Sequence, residues 1–109
     1  MKFPVVSLPF LPATGMAIFP FIFIKYKGLK HNKQIINHEQ IHLRQQIELL
    51  VLPFYIIYIL HYLVNLLRYR NHDKAYRNIV FEREAYSNES DLMYLKTRRF
   101  SSWINYFQL

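Results

Sequence analysis

The feature that most constrains the fold of this 109-residue chain is Leu49–Leu67, a segment of nineteen residues without a formal charge. Its length meets the criterion for a transmembrane helix, which needs roughly 20 mostly apolar residues. Pro53, His61 and Asn65 interrupt the apolar run, and its tyrosines are spread along it instead of being confined to its ends. The segment predicts a long helix that either crosses a membrane or lies at the centre of a small domain.

Composition bounds the chain to one domain, residues 1–109, with enough hydrophobic residues (52%) to bury a core. Cysteine is absent, which excludes disulfides, thiolate zinc sites and cysteine catalysis. The net charge of +7 indicates acidic partners such as nucleic acid or anionic lipid. No RNA-recognition, zinc-finger or helix-turn-helix pattern accompanies the basic residues, so we expect no nucleic-acid partner. Prolines break the N-terminal apolar run, so we expect no signal peptide and a cytoplasmic location.

Periodicity and turn residues divide the chain into strands and turns (1–33), a helical core (34–95) and a tail (96–109). Ala17–Tyr26 is rich in β-branched and aromatic residues and predicts a strand, which Pro20 places at a sheet edge because proline cannot donate to a ladder. We predict helices at Ile35–Leu52, Phe54–Arg70 and Ala75–Leu95, the last with Asp73 as its N-cap. The predicted fold class is α+β, a short N-terminal β-ribbon packed on three helices.

The first predicted helix contains the motif His38-Glu39-Gln40-Ile41-His42. Two histidines four positions apart lie on the same face of a helix, so both imidazoles can reach one metal ion, and the intervening glutamate can hold a water molecule. A catalytic zinc ion needs a third protein ligand and an open position. Without such a ligand, the motif is also compatible with two ordinary histidines on a solvated helix.

A second motif, Phe81-Glu82-Arg83-Glu84-Ala85-Tyr86, follows in the third predicted helix. Together with Asn37–His42 and the Gln45-Gln46-x-Glu48 pattern after it, this motif resembles the minigluzincins. These are small proteins similar in fold to the catalytic domains of integral-membrane gluzincin peptidases. The resemblance covers roughly residues 17–95, most of the chain.

The resemblance implies a zinc metallopeptidase that acts on peptide or protein substrates. Its zinc ligands would be His38, His42 and Glu82, held between the first and third helices. Glu39 would be the catalytic residue, taking a proton from a zinc-bound water and passing it to the leaving amine. The predicted edge strand would bind an extended peptide by strand addition.

Two further residues of the second motif have open roles. Glu84 lies about 200° around the helix from Glu82, so both cannot face one ion, and we expect Glu84 to form a surface ion pair. The membrane relatives have an aspartate four residues after the ligand glutamate, where this chain has Tyr86. Tyr86 either hydrogen-bonds a ligand histidine or packs as a core aromatic. Candidates for stabilising the oxyanion are His31, His72, Tyr76 and Tyr86.

A single membrane crossing and the three-ligand zinc site exclude each other. A crossing after His42 would leave Glu82 on the opposite side of the bilayer, and a return would carry the charged residues of 70–77 through hydrocarbon. We therefore interpret Leu49–Leu67 as a central buried helix, with peripheral membrane contact through its basic flanks as an alternative.

The tail, residues 96–109, begins with basic residues and ends with aromatic ones. It can pack on the core, lie on an anionic membrane or a second subunit, or fold back into the cleft. Our hypothesis is the third, self-inhibition, because the minigluzincins it resembles are described as latent, tail-blocked enzymes. The main alternative for the whole chain is a non-catalytic membrane-associated or interaction protein with an incidental histidine pair.

Overall fold

The computed structural model describes residues 3–107 and has the predicted α+β architecture, a small N-terminal sheet packed on helices. The strands are β1 (Val5–Ser7), β2 (Gly15–Ile18) and β3 (Phe21–Ile24). The α-helices are α1 (Lys33–Leu49), α2 (Val51–Tyr69), α3 (His72–Arg77), α4 (Val80–Asn88) and α5 (Tyr94–Thr97). Two 3₁₀ helices, Lys27–His31 and Ser102–Tyr106, precede α1 and follow α5.

The sheet has the strand order β1-β3-β2, with β1 parallel and β2 antiparallel to the central strand β3. The prediction of one edge strand at Ala17–Tyr26 is wrong, because the chain reverses at Phe19–Pro20 and forms a hairpin. Pro20 lies in the turn, where its missing N–H breaks no ladder hydrogen bond. The edge strand beside α1 is therefore β2.

The boundary between α1 and α2 lies at Leu50, whose φ of 63° takes the chain out of the helical conformation. Pro53, the predicted break, lies instead in the first turn of α2, where an N–H has no partner within the helix and proline is tolerated. The two predicted helices are thus confirmed, with boundaries shifted by one to three residues.

The prediction of one helix at Ala75–Leu95 is wrong, because extended backbone at Ile79 (φ −60°, ψ 135°) separates α3 from α4. Asn71 caps α3 by accepting the Lys74 N–H at 3.0 Å, in place of the predicted Asp73. The Val80 N–H at the start of α4 donates to His61 Nδ1 on α2 at 3.0 Å. A side chain from a distant helix therefore satisfies the new helix terminus, and sequence periodicity cannot reveal this.

Among the described residues, two hydrophobic clusters hold the layers together. Ala17, Ile22, Ile24 and Leu43 join the sheet to α1. Phe54, Ile79, Val80 and Phe81 join α2 to α4. Helix α1 lies between the sheet and α4, which places the predicted metal-binding side chains at the centre of the molecule.

The prediction that the long apolar segment is a central buried helix is wrong. In α2 only Phe54, His61 and Asn65 are buried, and most of its aliphatic residues face outward. Within the described residues, α2 is the one helix long and apolar enough to cross a membrane, and 17% of its apolar window is buried.

The described part of the tail packs on the core, which is the first of its three predicted alternatives. The 3₁₀ helix Ser102–Tyr106 lies against α4, where the Trp103 and Phe81 rings meet edge to face at 5.2 Å. Phe107 stacks on the His61 ring at 5.0 Å.

Candidate metal centre

Three predicted metal ligands meet at one point between α1 and α4. His38 and His42 lie one turn apart on α1, and Glu82 lies in the first turn of α4. The Nε2 atoms of both histidines are 3.0 Å from the same oxygen, Glu82 Oε1. All three residues are buried, and their donor atoms lie within 4.8 Å of one another. Ligand bonds of about 2.0–2.2 Å separate the donors of a tetrahedral zinc site by about 3.4 Å, so a small outward movement would fit the ion.

The other ring nitrogen of each histidine contacts an oxygen that can only accept a hydrogen bond. His38 Nδ1 is 2.7 Å from the Glu89 carboxylate, and His42 Nδ1 is 2.8 Å from Gln45 Oε1. Gln45 is held in this orientation because its Nε2 donates to Phe81 O at 3.1 Å and to the buried Glu84 carboxylate of α4. Both Nδ1 atoms therefore carry a proton, so the Nε2 atom of each ring is the nitrogen available to a metal ion.

The second oxygen of Glu82 is also held. Tyr58, on α2, donates its hydroxyl to Glu82 Oε2 at 2.5 Å. Burial, followed by the nearby Glu82 charge, raises the pKa of Tyr58, so the phenol stays a donor at neutral pH. Elements α1, α2 and α4 thus each contribute to fixing the geometry of the ligand set.

Three residues that hold the ligands were not predicted: Gln45, Tyr58 and Glu89. Tyr86, the predicted partner of a ligand histidine, packs its ring edge to face on His38 at 4.6 Å, and it is Glu89 that accepts the hydrogen bond. Glu89 lies seven positions after Glu82, about two helical turns on, and is therefore close to the same face. The seven-residue spacing between Glu82 and Glu89 is the sequence feature that could have indicated this role of Glu89.

The electrostatics of the cluster favour a cation. Burial of Glu82 raises its pKa, but the charges and hydrogen bonds of His42 and His38 outweigh this effect and hold the pKa well below its usual range. Burial lowers the pKa of His42, but the charge and hydrogen bond of Glu82 dominate and raise it to about 9. The negative charge of the buried Glu82 carboxylate can therefore be neutralised either by a proton on His42 or by a divalent cation.

Glu39, the predicted catalytic residue, is buried beside the ligands. Burial raises the pKa of its carboxyl group above the usual value, against the lowering effect of His42 and His38. The edge strand β2 approaches Glu39 closely, since a Cβ added to Gly15 would lie 3.0 Å from Glu39 Oε2. A glycine is thus suited to this position because the backbone and the carboxylate are in near contact.

Two cavities adjoin the cluster. The larger, about 620 Å³, is lined by His38 and Glu89, and the smaller, about 250 Å³, by His42 and Glu82. Both are also lined by Ala13, Gly15, Glu39 and Tyr76. A molecule that occupied both cavities would pass directly over Glu39 and the ligand set.

Among the oxyanion candidates, Tyr76 has the most suitable position because it lines both cavities. His72 and Tyr86 line the larger cavity alone, and His31 lines neither. Burial and then the Glu82 charge raise the pKa of Tyr76, so its hydroxyl is protonated at neutral pH and can donate a hydrogen bond.

The expected surface ion pair of Glu84 is instead fully buried. Glu84 has no exposed surface and pairs with the tail residue Arg98, whose Nε is 2.5 Å from Glu84 Oε2. Arg98 also pairs with Glu48 on α1, at 2.6 Å. The described tail residues, 96–107, line neither cavity, so none of their contacts supports self-inhibition.

No protein-family model, curated protein or solved structure matches this chain. Its functional interpretation therefore depends on the site itself.

Proposed function

We propose that this chain is a zinc metallopeptidase whose ion is bound by His38, His42 and Glu82. The observation that carries the proposal is the convergence of two imidazole nitrogens and one carboxylate oxygen, with both imidazoles oriented by their Nδ1 hydrogen bonds so that Nε2 is directed at the metal position. Nitrogen and oxygen donors in this number are typical of catalytic zinc sites, which keep one position open.

When bound, the zinc ion supplies Lewis acidity, which acidifies water and polarises a carbonyl group. The chain supplies the remaining chemistry. Glu39 accepts a proton from the attacking water and donates it to the leaving nitrogen, and its raised pKa brings it closer to the operating pH of a general base and acid. Tyr76 donates a hydrogen bond to the carbonyl oxygen as negative charge develops on it.

Substrate binding follows from the position of β2. This edge strand lines the smaller cavity at Gly15, Met16, Ala17 and Ile18, beside Glu39. An extended peptide can add to the edge and extend its side chains into the two cavities. The smaller cavity is lined mainly by apolar and aromatic groups, which favours substrates with an apolar side chain beside the scissile bond.

Metal content and hydrolysis test the proposal separately. The purified protein should contain about one zinc ion per chain, since three protein ligands form one site. His38→Ala and Glu82→Ala should lose the ion, as measured by plasma mass spectrometry. Glu39→Gln should retain it and lose hydrolysis of a quenched fluorescent peptide library. His31→Ala, an exposed histidine that lines neither cavity, is the matched control and should retain both.

A folded parent protein that binds no added zinc would refute the proposal. The cluster would then be a buried structural ion pair in a non-catalytic interaction protein. Zinc binding together with unchanged hydrolysis by Glu39→Gln would refute the mechanism alone, because the proton carrier would be another group.

A further inference from the structure

Helix α2 has its polar side chains inside and its aliphatic side chains outside. His61 and Asn65 are buried, with 4% and 1% exposure. Asn65 Nδ2 donates to Ala75 O at 3.1 Å, and His61 accepts the first N–H of α4. Tyr58 extends from the same side toward Glu82. The protein thus satisfies the polar groups of α2 internally, which is the reverse of an ordinary surface helix.

The opposite side of α2 is a stripe of aliphatic residues that we call the outer face. Its seven members are each between 45% and 79% exposed. At 100° per residue they occupy an arc of about 140°, and they extend for about 22 Å along the helix. A contiguous apolar surface of this kind marks an interaction site. The members are Leu52, Ile56, Ile59, Leu60, Leu63, Val64 and Leu67.

The charges around the outer face favour anionic lipid as its partner. Between Leu49 and Asn71 the formal charges are Arg68 and Arg70, both exposed at the C-terminal end of α2. Tyr69 lies between them, with the Arg68 guanidinium 5.6 Å from its ring centroid. An apolar helix face bordered by arginine and tyrosine is typical of helices at a membrane–water boundary. The net charge of +7 adds long-range attraction to a negative surface.

A spanning orientation of α2 conflicts with its neighbour α3. The two helices pack along each other, and Tyr62 OH lies 2.8 Å from His72 Nδ1. Helix α3 carries exposed Asp73, Lys74 and Arg77, which a spanning α2 would bring into the hydrocarbon at high cost.

We propose that the protein binds peripherally to anionic membranes by inserting the outer face of α2, parallel to the bilayer plane, below the headgroups. Tyr58, which contacts the metal site, lies about 190° around α2 from the centre of that face. The site and its cavities are therefore held on the water side of the helix, next to the membrane surface. The inference depends on neither zinc nor hydrolysis.

Vesicle co-sedimentation of the full chain tests this inference. The parent should bind vesicles containing about 30% phosphatidylserine more strongly than pure phosphatidylcholine vesicles, because its arginines border the inserted face. Alkaline carbonate should release it. Ile59→Lys/Leu63→Lys should reduce the bound fraction at least tenfold, although it adds positive charge. The control Leu92→Lys/Met93→Lys adds the same charge at positions 49% and 55% exposed outside the outer face, and should bind like the parent.

Circular dichroism and thermal melting should show that each variant is folded, because the substituted side chains are exposed. Arg68→Gln/Arg70→Asn should weaken binding to anionic vesicles by on the order of tenfold or more. Equal binding of Ile59→Lys/Leu63→Lys and the parent would overturn the inference, because attraction would then be electrostatic alone. Resistance to carbonate would overturn the in-plane orientation. A stable dimer without vesicle binding, abolished by the same two lysines, would assign the outer face to a second copy.

Discussion

Arg98 provides the most quantitative test of how the tail relates to the rest of the protein. Its side chain is fully buried between Glu48 on α1 and Glu84 on α4. The guanidinium contacts both oxygens of each carboxylate, at distances between 2.5 and 3.1 Å. Arg98→Met keeps much of the side-chain volume and removes the charge and all four contacts.

The expected destabilisation arises from the two buried carboxylates that remain after the Arg98 charge is removed. Glu84 keeps its hydrogen bonds from Gln45 and Tyr94, and Glu48 keeps one from the Ser101 N–H, but their two negative charges are no longer compensated. Breaking a buried ion pair in this way costs about 3–5 kcal/mol. A chain of this size has a free energy of unfolding of about 5–15 kcal/mol, so the loss is a large fraction of the total.

Urea unfolding followed by circular dichroism measures this loss. With an m value of about 1.5 kcal/mol/M, the midpoint should fall by roughly 2–3 M. Arg77→Met is the matched control, because Arg77 forms an exposed i,i+4 pair with Asp73 and its loss should leave the midpoint close to that of the parent. The triple variant Arg98→Met/Glu84→Gln/Glu48→Gln should recover part of the loss, since no unpaired charge remains.

A change below about 1 kcal/mol for Arg98→Met would refute the reasoning, because a detachable tail would be the simpler explanation. If the reasoning is correct, deleting residues 96–109 removes Arg98 together with Trp103 and unfolds or strongly destabilises the protein. Activation by the same deletion, with the fold intact, is the result that self-inhibition by the tail predicts.

Three further predictions concern the proposed zinc site. Glu89→Ala should weaken zinc binding about 10- to 100-fold in a chelator competition, because His38 loses the acceptor that orients it, and an unchanged affinity would contradict this role. Gly15→Ala should lower the rate of hydrolysis by about 100-fold without loss of zinc, because the added Cβ would displace the Glu39 carboxylate. An unaltered rate would show that catalysis does not depend on the position of Glu39 beside Gly15. Zinc binding at pH 7 should release about one proton, because the pKa of His42 in the metal-free protein is raised to about 9 and the ligand must be neutral. The affinity should rise by about tenfold per pH unit until the pH reaches that pKa, as measured by calorimetry in two buffers, and a release near zero would contradict the His42–Glu82 ion pair.

Local periodicity accounts for the features that the sequence predicted correctly. Two histidines at positions i and i+4 of a helix must lie on the same side, whatever the helix packs against. The sequence therefore paired His38 with His42, and the resemblance of the second motif to the minigluzincins pointed to Glu82 as the third member of the cluster. The α+β fold class and the existence of α2 follow equally from patterns of a few consecutive residues.

Helix termini were less predictable because distant side chains determine them. The break at Ile79 depends on His61, which accepts the N–H of Val80, nineteen positions later in the chain. Asn37 similarly donates to the carbonyls of Glu89 and Asp91, which fixes the end of α4 and with it the Glu89 carboxylate. Neither partner is within one helical turn in the sequence, so no local pattern records the contact.

The sequence by itself predicted that Phe54–Arg70 is helical, whereas only the tertiary structure decided which side of that helix is inside. Burial of a long apolar helix is the expected outcome when hydrophobic transfer is the only consideration. Here the polar side chains of α2 form hydrogen bonds inside the protein, His61 with Val80, Asn65 with Ala75 and Tyr58 with Glu82. Burying these polar groups without partners would cost more free energy than exposing the aliphatic side chains. These hydrogen bonds join residues far apart in the chain, so the orientation of α2, and the apolar surface it leaves exposed, depends on the folded structure as a whole.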